Sequence, residues 1–162
     1  MSGLMTNTTQ VQTPAPVESE TLSGVLAGTH VLTLDGEIPV EFLSEGDRVI
    51  TRSGVRVLRR ISARLVTDVR VVKVRAGSLG HDRPGRDLYM SVAQRVLVRD
   101  WRAQAIFHAR QAMVPVERLT DGQFVRVIHM DEARLFTLAF DSEETIYADG
   151  VELGCDKVSV EA

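Results

Sequence analysis

Gly28-Thr-His-Val-Leu-Thr-Leu-Asp-Gly-Glu-Ile-Pro-Val-Glu-Phe-Leu-Ser-Glu-Gly-Asp-Arg-Val-Ile-Thr51 is the stretch that organises the reading of this chain. Val31 to Leu34 is a short apolar and threonine run of strand character. Asp35-Gly36 predicts a type I′ turn, because both residues tolerate positive φ. The return strand, Glu37 to Val40, carries Pro39, which has no N–H to donate and so ends the strand or lies on a sheet edge. Ser44-Glu45-Gly46-Asp47 predicts a second reversal, and Val49-Ile50 begin a further strand. A compact β-domain therefore starts near residue 25.

With 162 residues the chain suffices for one domain with its own core plus a tail. Hydrophobic residues make up 44% and charged residues 25%, a globular composition. The net charge of -3 disfavours a dedicated nucleic-acid binder. That charge is uneven. Nine basic residues (Arg48, Arg52, Arg56, Arg59, Arg60, Arg64, Arg70, Lys73, Arg75) face the single acid Asp68 between residues 48 and 75. Several alternate with Val and Leu, as the outward positions of a half-buried strand do. The stretch reads first as a solvated sheet face, with a phosphate-binding face as the alternative. Cys155 is the single cysteine, so no internal disulfide forms. No apolar run approaches the roughly 20 residues of a membrane helix. Residues 1–22 lack the basic start and apolar core of a secretory signal and read as a flexible polar tail, which predicts a cytoplasmic location.

Strands are expected over Gly54–Thr67, Asp68–Ala76, Leu88–Ser91, Arg95–Arg99, Phe124–Met130, Leu135–Phe140 and Thr145–Ala148, from β-branched content and near-period-2 polarity. Gly77 to Gly85 is a loop by its glycines and proline. Ala103 to Met113 suits either a strand or a short helix. Asp149-Gly150 is a turn before a polar end. Many short strands without a long helix predict an all-β fold.

One internal repeat stands out. Pro39-Val-Glu-Phe-Leu-Ser-Glu-Gly-Asp-Arg-Val49 recurs as Pro115-Val-Glu-Arg-Leu-Thr-Asp-Gly-Gln-Phe-Val125. Each copy follows a Val-Leu strand and an aspartate turn, Val31-Leu32 with Asp35-Gly36 and Val96-Leu97 with Asp100-Trp101. Turn residues are a small menu, so chance likeness of two hairpins competes with a duplicated β-subdomain.

The opening block resembles the Hint (hedgehog/intein) autoprocessing domains, particularly their stand-alone bacterial relatives. The shared pattern is met by Gly28-Thr29, Asp35-Gly36, Pro39 to Leu43 and Gly46 to Thr51. The resemblance spans about residues 24–153. It implies a flat, horseshoe-like module of two β-subdomains related by a pseudo-twofold axis, which the repeat supports. The expected organisation is a tail over 1–22, a Hint-like domain over 23–154 and a C-terminal tail over 155–162.

Such domains cleave the peptide bond on their own N-terminal side. A Cys, Ser or Thr attacks the preceding carbonyl, and the resemblance puts that residue four before the Gly-Thr pair, at Gly24. Glycine has no side chain to attack with. Ser23, one position off, is the alternative nucleophile. The family's Thr-x-x-His or Ser-x-x-His segment corresponds to Ser91-Val-Ala-Gln94, where a carboxamide replaces the titrating imidazole. No asparagine occupies the end around Asp149 to Cys155, which excludes splicing on this reading. The expectation is therefore a domain inactive at Gly24, Ser91 and Gln94, serving as a binding module for a protein or peptide, with residual self-cleavage through Ser23 as the second reading. His30, His81, His108 and His129 show no metal-ligand spacing among themselves or with Cys155, so neither metal nor cofactor is expected. His30 reads as a solvent-facing strand residue, or as one facing the former cleft. Asp35, Glu37, Asp47 and Thr51 read as turn and strand-end residues.

Overall fold

The computed structural model describes residues 21–159. The expected N-terminal tail falls, up to residue 20, outside the described residues. The chain forms twelve described strands: β1 (Val25–Leu26), β2 (His30–Thr33), β3 (Gly36–Pro39), β4 (Arg48–Thr51), β5 (Gly54–Val57), β6 (Arg60–Val74), β7 (Leu88–Ser91), β8 (Arg95–Val98), β9 (Ala112–Pro115), β10 (Val125–Phe140), β11 (Glu144–Ala148) and β12 (Val151–Lys157). A short helix, α1 (Trp101–Phe107), lies between β8 and β9. The fold is all-β, as the turn spacing requires. No helix among the described residues is long and apolar enough to cross a membrane.

Two long strands form the spine. β6 and β10 pair antiparallel from Val74↔Val125 to Arg60↔Ala139. β7 extends this pair along β6, and β1 bonds both β7 and β10, through Val25↔Met90 and Val25↔Phe136. The pairings of β1, β7, β6 and β10 therefore close on themselves. At its far end β10 runs parallel to β12, which leads into the second sheet of β11, β2, β4 and β5, while β8 carries β9. The main core fills the space between these layers, with Val31, Val40, Val49, Leu58, Met90, Val116, Val125 and Phe140 wholly buried. A smaller cluster of Val66, Val69, Val71, Ala133 and Leu135 lies along the β6–β10 arm, with Leu22 and Leu26 packed on it.

Several expectations are corrected. The β2–β3 turn pairs Thr33 with Gly36, and positive φ falls on Gly36 (99°), not on Asp35. The geometry is thus no type I′ turn. The Thr33 hydroxyl instead bridges it, donating to Gly36 O (2.8 Å) and accepting from Asp35 N (3.0 Å). Thr51 does the same for Gly54 and Ser53. The expected break at Thr67–Asp68 lies instead at Leu58–Arg59, between β5 and β6. Asp68 adopts a left-handed φ of 51° inside β6, opposite Asp131, yet the register is unchanged on either side. Like charges directly opposite are unfavourable in a ladder, the Asp68–Asp131 pair is missing from it, and His129 supplies Asp68 with a partner. The two strands expected over 124–140 are likewise one, β10. The ladder to β6 skips only Asp131 and resumes at Glu132, so the strand runs on where period alone signals a break. The ambiguous 103–113 resolves into both options. Asp100 caps α1 by accepting from Arg102 N (2.9 Å), and His108 ends it in the left-handed region before β9 begins. The polar end after Asp149-Gly150 is in fact β12, buried from Val151 to Gly154 and continuing through Cys155 to Lys157, residues expected in a tail.

The repeat is structural. Pro39 (φ -56°, ψ 138°) and Pro115 (φ -59°, ψ 136°) turn the chain almost identically into 3-10 turns at Val40–Phe42 and Val116–Leu119. Val40 N donates to Thr29 O (2.7 Å), and Val116 N donates to Gln94 O (2.8 Å). Chance likeness of turn residues does not account for matched anchors at both corners.

Candidate functional site

β1 is only two residues long, and the chain entering it is held from both sides. The Gly24 carbonyl accepts Ser91 N (2.9 Å), at the end of β7. The Ser23 carbonyl accepts the Thr137 hydroxyl (2.6 Å), from β10. Gly24 sits at φ 157°, and a Cβ built there would lie 2.9 Å from Phe136 O and 3.2 Å from Thr137 Oγ1. Contacts that short force the backbone to shift. The position suits glycine because β10 crosses so closely behind it.

Gln94 lies just past β7 and is buried. Its Nε2 donates to Arg95 O (3.0 Å) and Gly154 O (2.9 Å), so the carboxamide ties β8 to β12. Its backbone N–H donates to Ser91 O (3.1 Å). The Ser91 hydroxyl is buried without a hydrogen-bond partner. Ser23, Gln94, Thr137, Gly154 and Cys155 line one cavity of about 20 Å³, walled by Val25, Phe136, Leu138, Ile146 and Leu153. That volume admits about one water molecule. The sequence-singled residues thus converge: Ser23 and Gln94 share the cavity, and Gly24 and Ser91 are hydrogen-bonded beside it.

The chemistry available there is narrow. Thr137 polarises the Ser23 carbonyl, as an oxyanion donor would. The groups offering attack are the Ser23 hydroxyl and the Cys155 thiol. Burial, with Asp156 adding and Arg95 opposing, pushes that thiol up to about 12, so it is protonated at neutral pH. Gln94 donates hydrogen bonds but yields no proton. Among the described residues no three His, Cys, Asp or Glu side chains gather as metal ligands would.

His30 does not join this cavity. Its Nδ1 is buried without a hydrogen-bond partner, 3.9 Å from Asp149 Oδ1, and its Nε2 lies 3.5 Å from Arg86. Neither expected placement, solvent nor cleft, describes it. Asp47 caps Ser44 N (2.8 Å), in keeping with a turn role. The basic stretch is dispersed: Arg52 pairs with Glu152, Arg56 with Glu144, Arg59 with Asp141, Arg70 with Glu117 and Lys73 with Asp87. Sequence reasoning missed Thr137, which has no local motif and meets Ser23 only through the β1–β10 pairing. It also missed the buried acids Glu144 and Glu152. Glu144 carried a signal, since it shares the inward period of Ile146 and Ala148 in β11.

The sequence profile of the Hint domain family matches residues 24–154. The bacterial intein-like domain from Clostridium thermocellum is similar in structure (TM-score 0.62, 14% identity), covering 84% of this chain and 100% of that one. The gp41-1 intein aligns at TM-score 0.55 and 11% identity, over 82% of this chain and 98% of its own. A DnaB intein from Synechocystis aligns at 0.54 and 11%, over 85% of this chain and 100% of its own. No curated protein sequence matches. At these identities the structural likeness speaks for the fold alone, and the profile, which spans most of the chain, places it: this protein belongs to the Hint domain family.

Proposed function

We propose that this Hint domain has lost autoprocessing and acts as a binding module for a protein or peptide partner. The carrying observation is the fit at Gly24, where a Cβ would stand 2.9 Å from Phe136 O. The position facing the scissile carbonyl of the family has neither a nucleophile nor room for one. Gln94 supports the same reading, since loss of an acid/base group typically costs about 10²–10⁴ in rate. Its amide is also committed to two carbonyls that join β8 and β12. At two of the positions that the resemblance marks as catalytic, Gly24 and Gln94, the residue present thus fits a structural role.

Intact-mass measurement after expression tests this. The expected result is a stable species at 17.9 kDa, unchanged by hydroxylamine or a thiol. Release of the segment before Ser23 or Gly24, abolished in Ser23→Ala, would support the second reading, residual self-cleavage through Ser23. The observation favouring that reading is that Ser23 lines the cavity with Gln94 and Thr137.

A further inference from the structure

We infer that the arginines gathered over Glu152 form a binding site for a doubly charged oxyanion, a phosphate group above all. Glu152 is almost wholly buried in β12. Three guanidinia converge on its one carboxylate. Arg52 reaches Oε2 from the turn after β4, Arg99 donates to Oε1 (2.9 Å) from the end of β8, and Arg83 Nη1 stands 3.8 Å from Oε1 in the 77–85 loop. One negative charge thus faces three positive ones, leaving two without a counter-charge.

The surrounding acids do not supply it. Asp100 lines the same cleft but is bonded to Arg102, and Asp149, at the tip of the β11–β12 hairpin, is bonded to Arg86 (3.1 Å). Like charges held this close repel, so the arrangement favours an added anion. Arginine is suited to the task, because its planar fork matches phosphate oxygens with paired, charge-assisted hydrogen bonds. The cleft over Glu152 has a volume of only about 10 Å³, too small for an oxyanion. The anion therefore sits outside the cleft, on the exposed parts of Arg99, which lines it, and of Arg52, which reaches the other carboxylate oxygen from beyond the lining; their side chains are 45% and 38% exposed. The buried carboxylate then acts as the post to which the guanidinia are tethered. This site is separate from the Gly24 cavity and does not depend on the fate of self-cleavage.

The test is calorimetric titration of the full chain with inorganic phosphate, with chloride at matched ionic strength as control. Phosphate is expected to bind and to raise the melting temperature more than chloride does. Arg52→Gln and Arg99→Gln are each expected to weaken binding about tenfold, the loss of roughly one charge-assisted hydrogen bond. Arg99→Lys should fall between. Because three guanidinia share Glu152, either variant leaves it two partners, and the melting temperature in chloride verifies folding. Phosphoserine and adenosine monophosphate separate the sources: tighter binding of a monoester indicates a phosphate-bearing ligand, and equal or weaker binding a free ion. Phosphate indistinguishable from chloride, or binding unchanged in both Gln variants, would overturn the site.

Discussion

In the first Pro-Val-Glu unit the corner after β3 hangs from the carbonyl of Thr29, and in the second the corner after β9 hangs from that of Gln94. The backbone device is the same, but the anchors have different surroundings. Thr29 closes a local turn, its hydroxyl donating to Leu26 O (2.8 Å). Gln94 faces the cavity beside β1 and sends its side chain across to β12. The first unit joins its strands by a tight turn, whereas the second inserts α1 between β8 and β9. Corner geometry is thus set by a few adjacent residues. The part an anchor plays depends on what the rest of the chain brings against it.

The equivalence of the two units can be broken by matched substitutions. Leu43→Ala and Leu119→Ala each empty a buried site behind a corner, and each is expected to cost about 2–5 kcal/mol. Urea unfolding measures both, and a near-zero cost in one unit would show that its corner is not a packed element. Gly46→Ala and Gly122→Ala come next. Both glycines have positive φ (98° and 77°), and an added Cβ meets nothing within 4 Å at either. The cost is then purely conformational, about 1–2 kcal/mol, and the same in both. A marked inequality in chemical denaturation would mean that one turn relaxes. Pro39→Ala and Pro115→Ala should each lose a smaller amount, about 0.4–1 kcal/mol, by loosening the unfolded chain. A gain in melting temperature from either would count against the shared geometry.

The smallest effect is one of pH, and it contrasts the two ends of β11. Burial opposes ionisation of Glu144, but hydrogen bonds from Ser142 and Thr51 and the charge of Arg56 outweigh it and hold the carboxyl below its ordinary value. A carboxyl depressed in the native state stabilises it above the unfolded value of about 4.3, and that contribution is lost as pH falls through the lower native one. Asp149 has the opposite sign. Burial raises its carboxyl despite the backbone N–H of His30 and the charge of Arg86, so native stability falls as pH climbs from about 3.9 towards the raised value. Glu144→Gln should flatten the acid loss of stability, and Asp149→Asn should remove the component that declines with rising pH. Denaturation midpoints measured from pH 3 to 7 would show both, and identical slopes in the two variants would refute the contrast.

Much of this was legible in the sequence. The Pro-Val-Glu corners, the glycine reversals and most strand positions were legible because each depends on residues within a few positions: a proline without an N–H, a glycine at positive φ, an alternation of period two. Gly24, Ser91 and Gln94 were singled out through the family's spacing, which is likewise local. The extent of β6 and β10 was not legible. Asp68 and Asp131 look like ends of strands, and only the pairing of β6 with β10 on either side of them carries the ladder past that position.

What local chemistry does not contain is which distant segments become neighbours. Thr137 reaches the Ser23 carbonyl across 114 positions, β10 closes the space behind Gly24, and Arg52, Arg83 and Arg99 meet on one glutamate. The residue order sets the turns, the repeated corners and the all-β class through short-range dihedral and hydrogen-bonding limits. The cavity, the crowding at Gly24 and the excess of positive charge over Glu152 arise from long-range packing, because contact distance and burial exist only once the strands have paired.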